Sequence, residues 1–132
     1  MTPSTRKKVY GLHLMIDAYG AKPPKLDDIG LLFETLNTLP ALIGMNKIGF
    51  PHIAKFTEED IAGISGIIMI VESHIAIHTY SKKDYLSLDV YSCKHFDHKK
   101  VVDLISRVYS PEEMEVNVIE RGKKFPAENI HA

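Results

Sequence analysis

The sequence predicts an α+β domain, a two-layer sandwich whose mostly antiparallel sheet carries two helices on one face. Three observations carry that prediction. Apolar residues alternate with polar ones in several separate segments, two stretches repeat at helical spacing, and the order is strand, helix, several strands, helix, strand. Two amphipathic helices can cover only one face of such a sheet. The run Ile64 to Val71 is too apolar to leave the other face wet. A second copy packing there, sheet against sheet, is therefore expected, making a homodimer.

In Val9 to Asp17, Tyr10, Leu12, Leu14 and Ile16 alternate with partners that include His13 and Asp17, which predicts the first strand. Tyr19 to Pro24 stops it. Asp27 or Asp28 can cap a helix, because a short carboxylate accepts from the free N–H groups of a first turn. Ile29, Leu32, Phe33, Leu36 and Leu39 then form one apolar helical face, and Pro40 is expected to end it. Gly44 to Lys55 reads as a Gly/Pro-punctuated connection with a strand near Pro51 to Phe56.

Ile64 to Val71 reads as a buried strand, and after a break at Glu72-Ser73 His74 to Thr79 reads as the next. Beyond the polar turn Ser81 to Asp84, Tyr85 to Cys93 alternates, with Leu86, Leu88 and Val90 on one side and Ser87, Asp89 and Tyr91 on the other. Asp97 can cap a second helix with Val101, Val102, Ile105, Val108 and Tyr109 as its stripe. Ser110-Pro111 breaks it, and Met114, Val116 and Val118 alternate as a last strand. The tail from Lys123 onward looks loosely held.

The 132 residues form one expected domain, 1–132, large enough to bury roughly two-thirds of the surface its unfolded chain would expose. With 45% hydrophobic and 25% charged residues and a formal net charge of −1, nothing calls for nucleic acid or an anionic membrane as partner. Ile61 to Val71 is too short to span a bilayer, and the basic N-terminus lacks the apolar stretch of a signal peptide. A single cysteine, Cys93, cannot form an internal disulfide, so a cytoplasmic location is expected.

His74 and His78 have the i, i+4 spacing of a helical metal grip, but the residues between them are β-formers. On a strand the two would lie about 13 Å apart, too far to share one ion. No metal is expected. By residue type alone, Glu72-Ser73 is a hairpin turn, His78 a core histidine and Cys93 a buried thiol. No Gly-x-Ser-x-Gly elbow surrounds Ser73.

The run from Gly63-Ile-Ser65-Gly66 through Glu72-Ser73-His74-Ile-Ala-Ile-His78-Thr79, followed by Leu88-Asp89-Val90-Tyr91-Ser92-Cys93, closely resembles the prokaryotic S-adenosylmethionine decarboxylases. The family signature is a Ser-Gly strand, then Glu-Ser-His-x-x-x-His-Thr, then an Asp-hydrophobic-aromatic-x-Cys strand. Gly11-Leu12-His13-Leu14 and Val118-Ile119-Glu120-Arg121-Gly122 resemble the family's ends, so the resemblance covers about residues 9 to 122.

The resemblance implies a self-cleaving decarboxylase whose cofactor is a covalently bound pyruvoyl group made from Ser73, with no metal and no pyridoxal phosphate. By that analogy Ser73 attacks the carbonyl of Glu72 in an N-to-O acyl shift, Ser65 hydrogen-bonds the oxyanion, and His78 removes the α-proton for β-elimination. Cleavage at 72/73 gives a β chain 1–72 and an α chain 73–132, assembled as a homodimer of processed αβ protomers. The ketone forms a Schiff base with the substrate amine and accepts electrons as carbon dioxide leaves. Cys93 fits as the proton donor to the resulting carbon.

Where the family commonly carries aromatic-Pro-Glu after His-Thr, this chain has Tyr80-Ser81-Lys82-Lys83-Asp84. Lysine cannot accept hydrogen bonds from ribose hydroxyls. Asp84 is a candidate substitute, Tyr80 keeps the aromatic, and Phe50 and Phe56 are candidates for stacking on adenine. The stretch Phe56 to Ala62 is also longer than expected. The implied reaction is decarboxylation of S-adenosylmethionine for polyamine synthesis. Arginine or ornithine is the alternative substrate, with Asp17, Glu58, Glu59 and Glu120 available to a cation, and a non-catalytic regulatory relative is the alternative role.

Overall fold

The computed structural model describes residues 10–126. Nine elements follow in order: β1 (Gly11–Tyr19), α1 (Pro23–Leu26), α2 (Ile29–Leu42), β2 (Lys47–Phe56), β3 (Gly63–Ile70), β4 (Ser73–Tyr80), β5 (Tyr85–Ser92), α3 (His98–Tyr109) and β6 (Glu113–Arg121). The six strands form one sheet in the order β2-β3-β4-β5-β1-β6, and every pairing is antiparallel. The expected α+β architecture is what the chain adopts. The expected start of the first strand at Val9 and the end of the tail lie outside the described residues.

One face of the sheet is the core. Leu14 and Ile16 of β1, Ile68 and Ile70 of β3, Ile75 and Ile77 of β4, and Leu86, Leu88 and Val90 of β5 are almost fully buried. They pack with Leu32, Leu36 and Leu39 of α2 and Val101, Ile105 and Tyr109 of α3. Both long helices start as the sequence indicates. Asp28 accepts from the Leu31 N–H at 3.0 Å and Asp97 from the Lys99 N–H at 3.0 Å, satisfying donors of each first turn.

Three details depart from expectation, each for a local reason. Pro40 does not end α2, which runs on to Leu42. A proline in the last turn removes only one ladder bond, and its carbonyl is used to close the helix. The Met45 N–H donates to Pro40 O at 2.7 Å and the Gly44 N–H to Ala41 O at 3.2 Å, with Gly44 left-handed at φ 73°. The segment expected as a connection with a short strand is the ten-residue edge strand β2, whose register shifts between Ile48 and His52 around Gly49 at φ 67°. Pro51 is tolerated there because an edge strand has N–H groups with no ladder partner to lose. A short helix, α1, also forms at Pro23–Leu26, where proline starts a turn without a missing bond.

Among the described residues the opposite face carries no helix. It presents His13, Met15 and Asp17 of β1, Ser65, Ile67 and Met69 of β3, His74, Ala76, His78 and Tyr80 of β4, and Ser87, Asp89 and Tyr91 of β5. Met69 is 59% exposed and Ile119, on β6, is 50% exposed, alongside Ile48 and Ile67. Apolar and ionisable groups thus share one open surface, which is unusual for a solvated face.

Candidate active site

The tip of the β3–β4 hairpin holds Glu72 and Ser73, and two neighbours pin it. The Val71 N–H donates to Asn46 O at 2.9 Å, while Asn46 donates from its backbone and its side chain to the Glu72 carboxylate, both at 3.2 Å. Ser73 pairs with Ser92 across β4 and β5, which brings Cys93 alongside. The Cys93 backbone N–H donates to the carbonyl oxygen of Glu72 at 3.0 Å. That carbonyl belongs to the Glu72–Ser73 peptide, so it already has a hydrogen-bond donor of the kind that stabilises an oxyanion. The Cys93 thiol is half-buried and lines a small crevice with Tyr10, Gly11 and Leu12. Burial, and then the neighbouring thiol, push the Tyr10 hydroxyl above its usual range.

Ser73 Oγ lies 3.3 Å from Nδ1 of His74, and Nε2 of His74 lies 3.3 Å from Asp89 Oδ1. The same carboxylate oxygen is 3.2 Å from Nε2 of His13. Arg121 closes the cluster, with Nη1 3.4 Å from His13 Nδ1 and its guanidinium 4.2 Å over the Tyr91 ring. Four adjacent strands, β4, β5, β1 and β6, each contribute to it.

Ser65 and His78 are partners of each other, opposed in the β3–β4 register with Ser65 Oγ 2.8 Å from His78 Nδ1. They line an open groove of about 340 Å³ with His52, Ala54, Ile67 and Ala76. His78 stands five residues along β4 from Ser73, about 16 Å at strand rise. Two glycines allow close approach here, Gly63 that of β4 to β3 and Gly66 that of α2 to the sheet. A Cβ on Gly63, at φ 155°, would sit 1.9 Å from Thr79 O, and one on Gly66 would meet Leu36 Cδ1 at 2.6 Å.

The expected recognition residues divide between the two ends of the sheet. Phe50 is 69% exposed at the β2 bulge, with Lys47 Nζ 5.1 Å over its ring. Phe56 and Asp84 line one cleft with Lys82 and Asp27, and Tyr80 lines another with Tyr19, Asp60 and Tyr85. All three lie at the His78 end. Lys82 donates to Glu59 Oε2 at 2.9 Å, which holds that carboxyl below its usual value. The Phe56–Ala62 stretch therefore delivers a carboxylate to Lys82.

The chain thus brings Glu72, Ser73 and Cys93 together at one end of the sheet and Ser65 with His78 toward the other. Among the described residues no three His, Cys, Asp or Glu side chains converge as a metal site. Sequence reasoning missed the His74–Asp89–His13 cluster. His74 was visible only as half of a metal-like spacing, and Asp89 only as a strand residue. Their period-2 placement on paired strands, His74 one register step from Asp89, was the available signal.

The family profile described as S-adenosylmethionine decarboxylase matches residues 12–122. The chain is 33% identical over 120 residues to the S-adenosylmethionine decarboxylase proenzyme of Persephonella marina, covering 88% of this chain and 85% of that one. It is 33% identical over 117 residues to the proenzyme of that name from Clostridium botulinum, covering 88% and 97%. With that of Pyrococcus furiosus it shares 31% over 113 residues, 85% and 78% of the two chains. The crystal structure of the adenosylmethionine decarboxylase from Aquifex aeolicus superposes with a TM-score of 0.74 at 30% identity, covering 87% of this chain and 92% of that one.

Proposed function

This chain belongs to the S-adenosylmethionine decarboxylase family, and we propose that it cleaves itself at Glu72–Ser73 and then decarboxylates S-adenosylmethionine. The observation that carries the cleavage is the Cys93 N–H on the Glu72 carbonyl at 3.0 Å, in the peptide that Ser73 follows. Ser73 Oγ adds to the Glu72 carbonyl carbon, the Cys93 amide holds the oxyanion, and the C–N bond breaks to leave an ester and a free amine. Loss of the Ser73 α-proton then expels Glu72 as a carboxylate, giving chains 1–72 and 73–132. The new N-terminus hydrolyses to pyruvoyl with release of ammonia.

His78 is the proposed acceptor of that α-proton and Ser65 the proposed second donor to the oxyanion, yet within one chain His78 stands about 16 Å along the strand from Ser73. The open face resolves this. His78 lies on an uncovered surface that carries exposed Ile67, Met69 and Ile119, and Ser73, at the hairpin tip, reaches that surface through its contact with His74. A second copy related by a two-fold axis would bury these side chains and carry its own Ser65–His78 pair to the first copy's Ser73. The functional unit in this reading is a homodimer with two composite sites, each drawing residues from both protomers.

The residues present fit a pyruvoyl group, since the reacting carbonyl and hydroxyl are adjacent and held. Once formed, the group supplies an electron sink for departure of the substrate carboxylate. Cys93, beside the new N-terminus, holds on Sγ the proton that the substrate carbon then takes. In this reading Phe50 at the Ser73 end and the partner's Phe56, Tyr80 and Asp84 would bound the nucleoside. No helix of the described residues is long and apolar enough to cross a membrane, and the lone thiol fits a cytoplasmic setting. Carbon-dioxide release from carboxyl-labelled S-adenosylmethionine, with arginine and ornithine in parallel, tests the substrate. Release from an amino acid alone would overturn it.

A further inference from the structure

We propose that His74, oriented by Asp89, is the general base that activates Ser73 for the acyl shift. The inference rests on self-cleavage at Glu72–Ser73 and assigns the step before the one given to His78. A serine hydroxyl is a weak nucleophile unless its proton has somewhere to go. The structure puts His74 Nδ1 3.3 Å from Ser73 Oγ.

The direction of proton flow follows from the partners. Arg121 can only donate, so His13 Nδ1 accepts from it and His13 Nε2 carries hydrogen toward Asp89. Asp89 Oδ1 also faces His74 Nε2 at 3.3 Å. The carboxylate at that distance favours the His74 hydrogen on Nε2, which leaves Nδ1 bare toward the Ser73 hydroxyl. That is the tautomer a base needs, with Asp89 as the positioning residue. His13 and Arg121 hold Asp89 from its other side. Asp89 thus stands behind His74 as the third group that orients a base.

The step balances without any added reagent. The Ser73 hydroxyl proton moves to His74 Nδ1 as Oγ bonds to the Glu72 carbonyl carbon. When the C–N bond breaks, His74 returns that proton to the departing Ser73 amine. His74 is neutral again, and the chain holds an ester. The proton later removed from the Ser73 α-carbon is a different one, taken by His78. Two histidines, His74 of the same chain and the partner's His78, thus serve successive steps at one peptide.

The test is a chase of newly synthesised full-length chain on denaturing gels, with hydroxylamine used to reveal esters. His74→Ala and His74→Gln should slow cleavage about 100-fold or more, and the uncut chain should resist hydroxylamine because it is still an amide. His78→Ala should also stay uncut, but as a hydroxylamine-labile ester. Added imidazole should restore cleavage to His74→Ala, whose half-exposed site has room for it. Asp89→Asn should slow cleavage and Asp89→Glu should recover part of it, with circular dichroism and melting temperature unchanged. Cleavage of both His74 variants within about threefold of wild type, or an ester accumulating in them, would overturn the assignment. Uncut wild-type chain would instead overturn self-cleavage itself, so the two failures are distinct.

Discussion

The Cys93 backbone N–H donates to the Glu72 carbonyl oxygen at 3.0 Å, so in the proposed cleavage Cys93 would serve the Glu72–Ser73 peptide through its main chain before its thiol has any part to play. The two roles separate by substitution. Cys93→Ala keeps the N–H, and its chain should cleave at close to the wild-type rate. Without the thiol, turnover should fall by about 100-fold or more. Gel analysis beside a carbon-dioxide assay reads both, and equal turnover would remove the thiol from the mechanism.

The composite site predicts complementation. Ser73→Ala and His78→Ala should each remain uncut alone. Co-expressed, the Ser73→Ala chain supplies an intact Ser65–His78 pair to its partner, so the His78→Ala chain should be cut while the Ser73→Ala chain stays whole. Intact mass resolves the two. Absence of cleavage in the mixed dimer would show that His78 does not act across the interface.

Gly63→Ala should destabilise the fold by about 3 kcal/mol or more, because overpacking against backbone has no soft direction. Its Cβ would stand 1.9 Å from Thr79 O. Thermal melting by circular dichroism measures the loss, and an unchanged midpoint would contradict the close β3–β4 approach.

Tyr109 is 1% exposed and its hydroxyl lacks a hydrogen-bond partner among the described residues. Burial raises its pKa from 10.0 to about 12. The folded state holds this proton more tightly than the unfolded chain, so the contribution is complete below pH 10 and is lost as pH rises toward 12. Stability should therefore fall between pH 10 and 12. Tyr109→Phe should flatten part of that fall and, by removing an unsatisfied hydroxyl, leave neutral-pH stability unchanged or about 1 kcal/mol higher. Melting curves against pH check both.

Much of the architecture was legible because it rests on periodicity. The alternation in Tyr85–Ser92 and the stripe Val101, Ile105, Tyr109 map directly onto buried faces. What was not legible depends on neighbours. Pro40 stays helical because Gly44 and Met45 close the helix around it, and β2 forms despite Gly49 and Pro51 because it is an edge. The site divides the same way. Glu72, Ser73 and Cys93 were singled out by the family resemblance, but only register shows that Ser65 and His78 lie toward the other end of the sheet. Nothing in the linear order announces that Asp89 stands behind His74.

The most direct measurement is the intact mass of the purified protein and of its Ser73→Ala variant. Wild type should give two chains, 1–72 ending in a free carboxylate and 73–132 lighter by the mass of one ammonia than a serine-started peptide, while Ser73→Ala gives one uncut chain. A wild-type protein that remains a single chain of 132 residues on incubation would contradict the account at its centre.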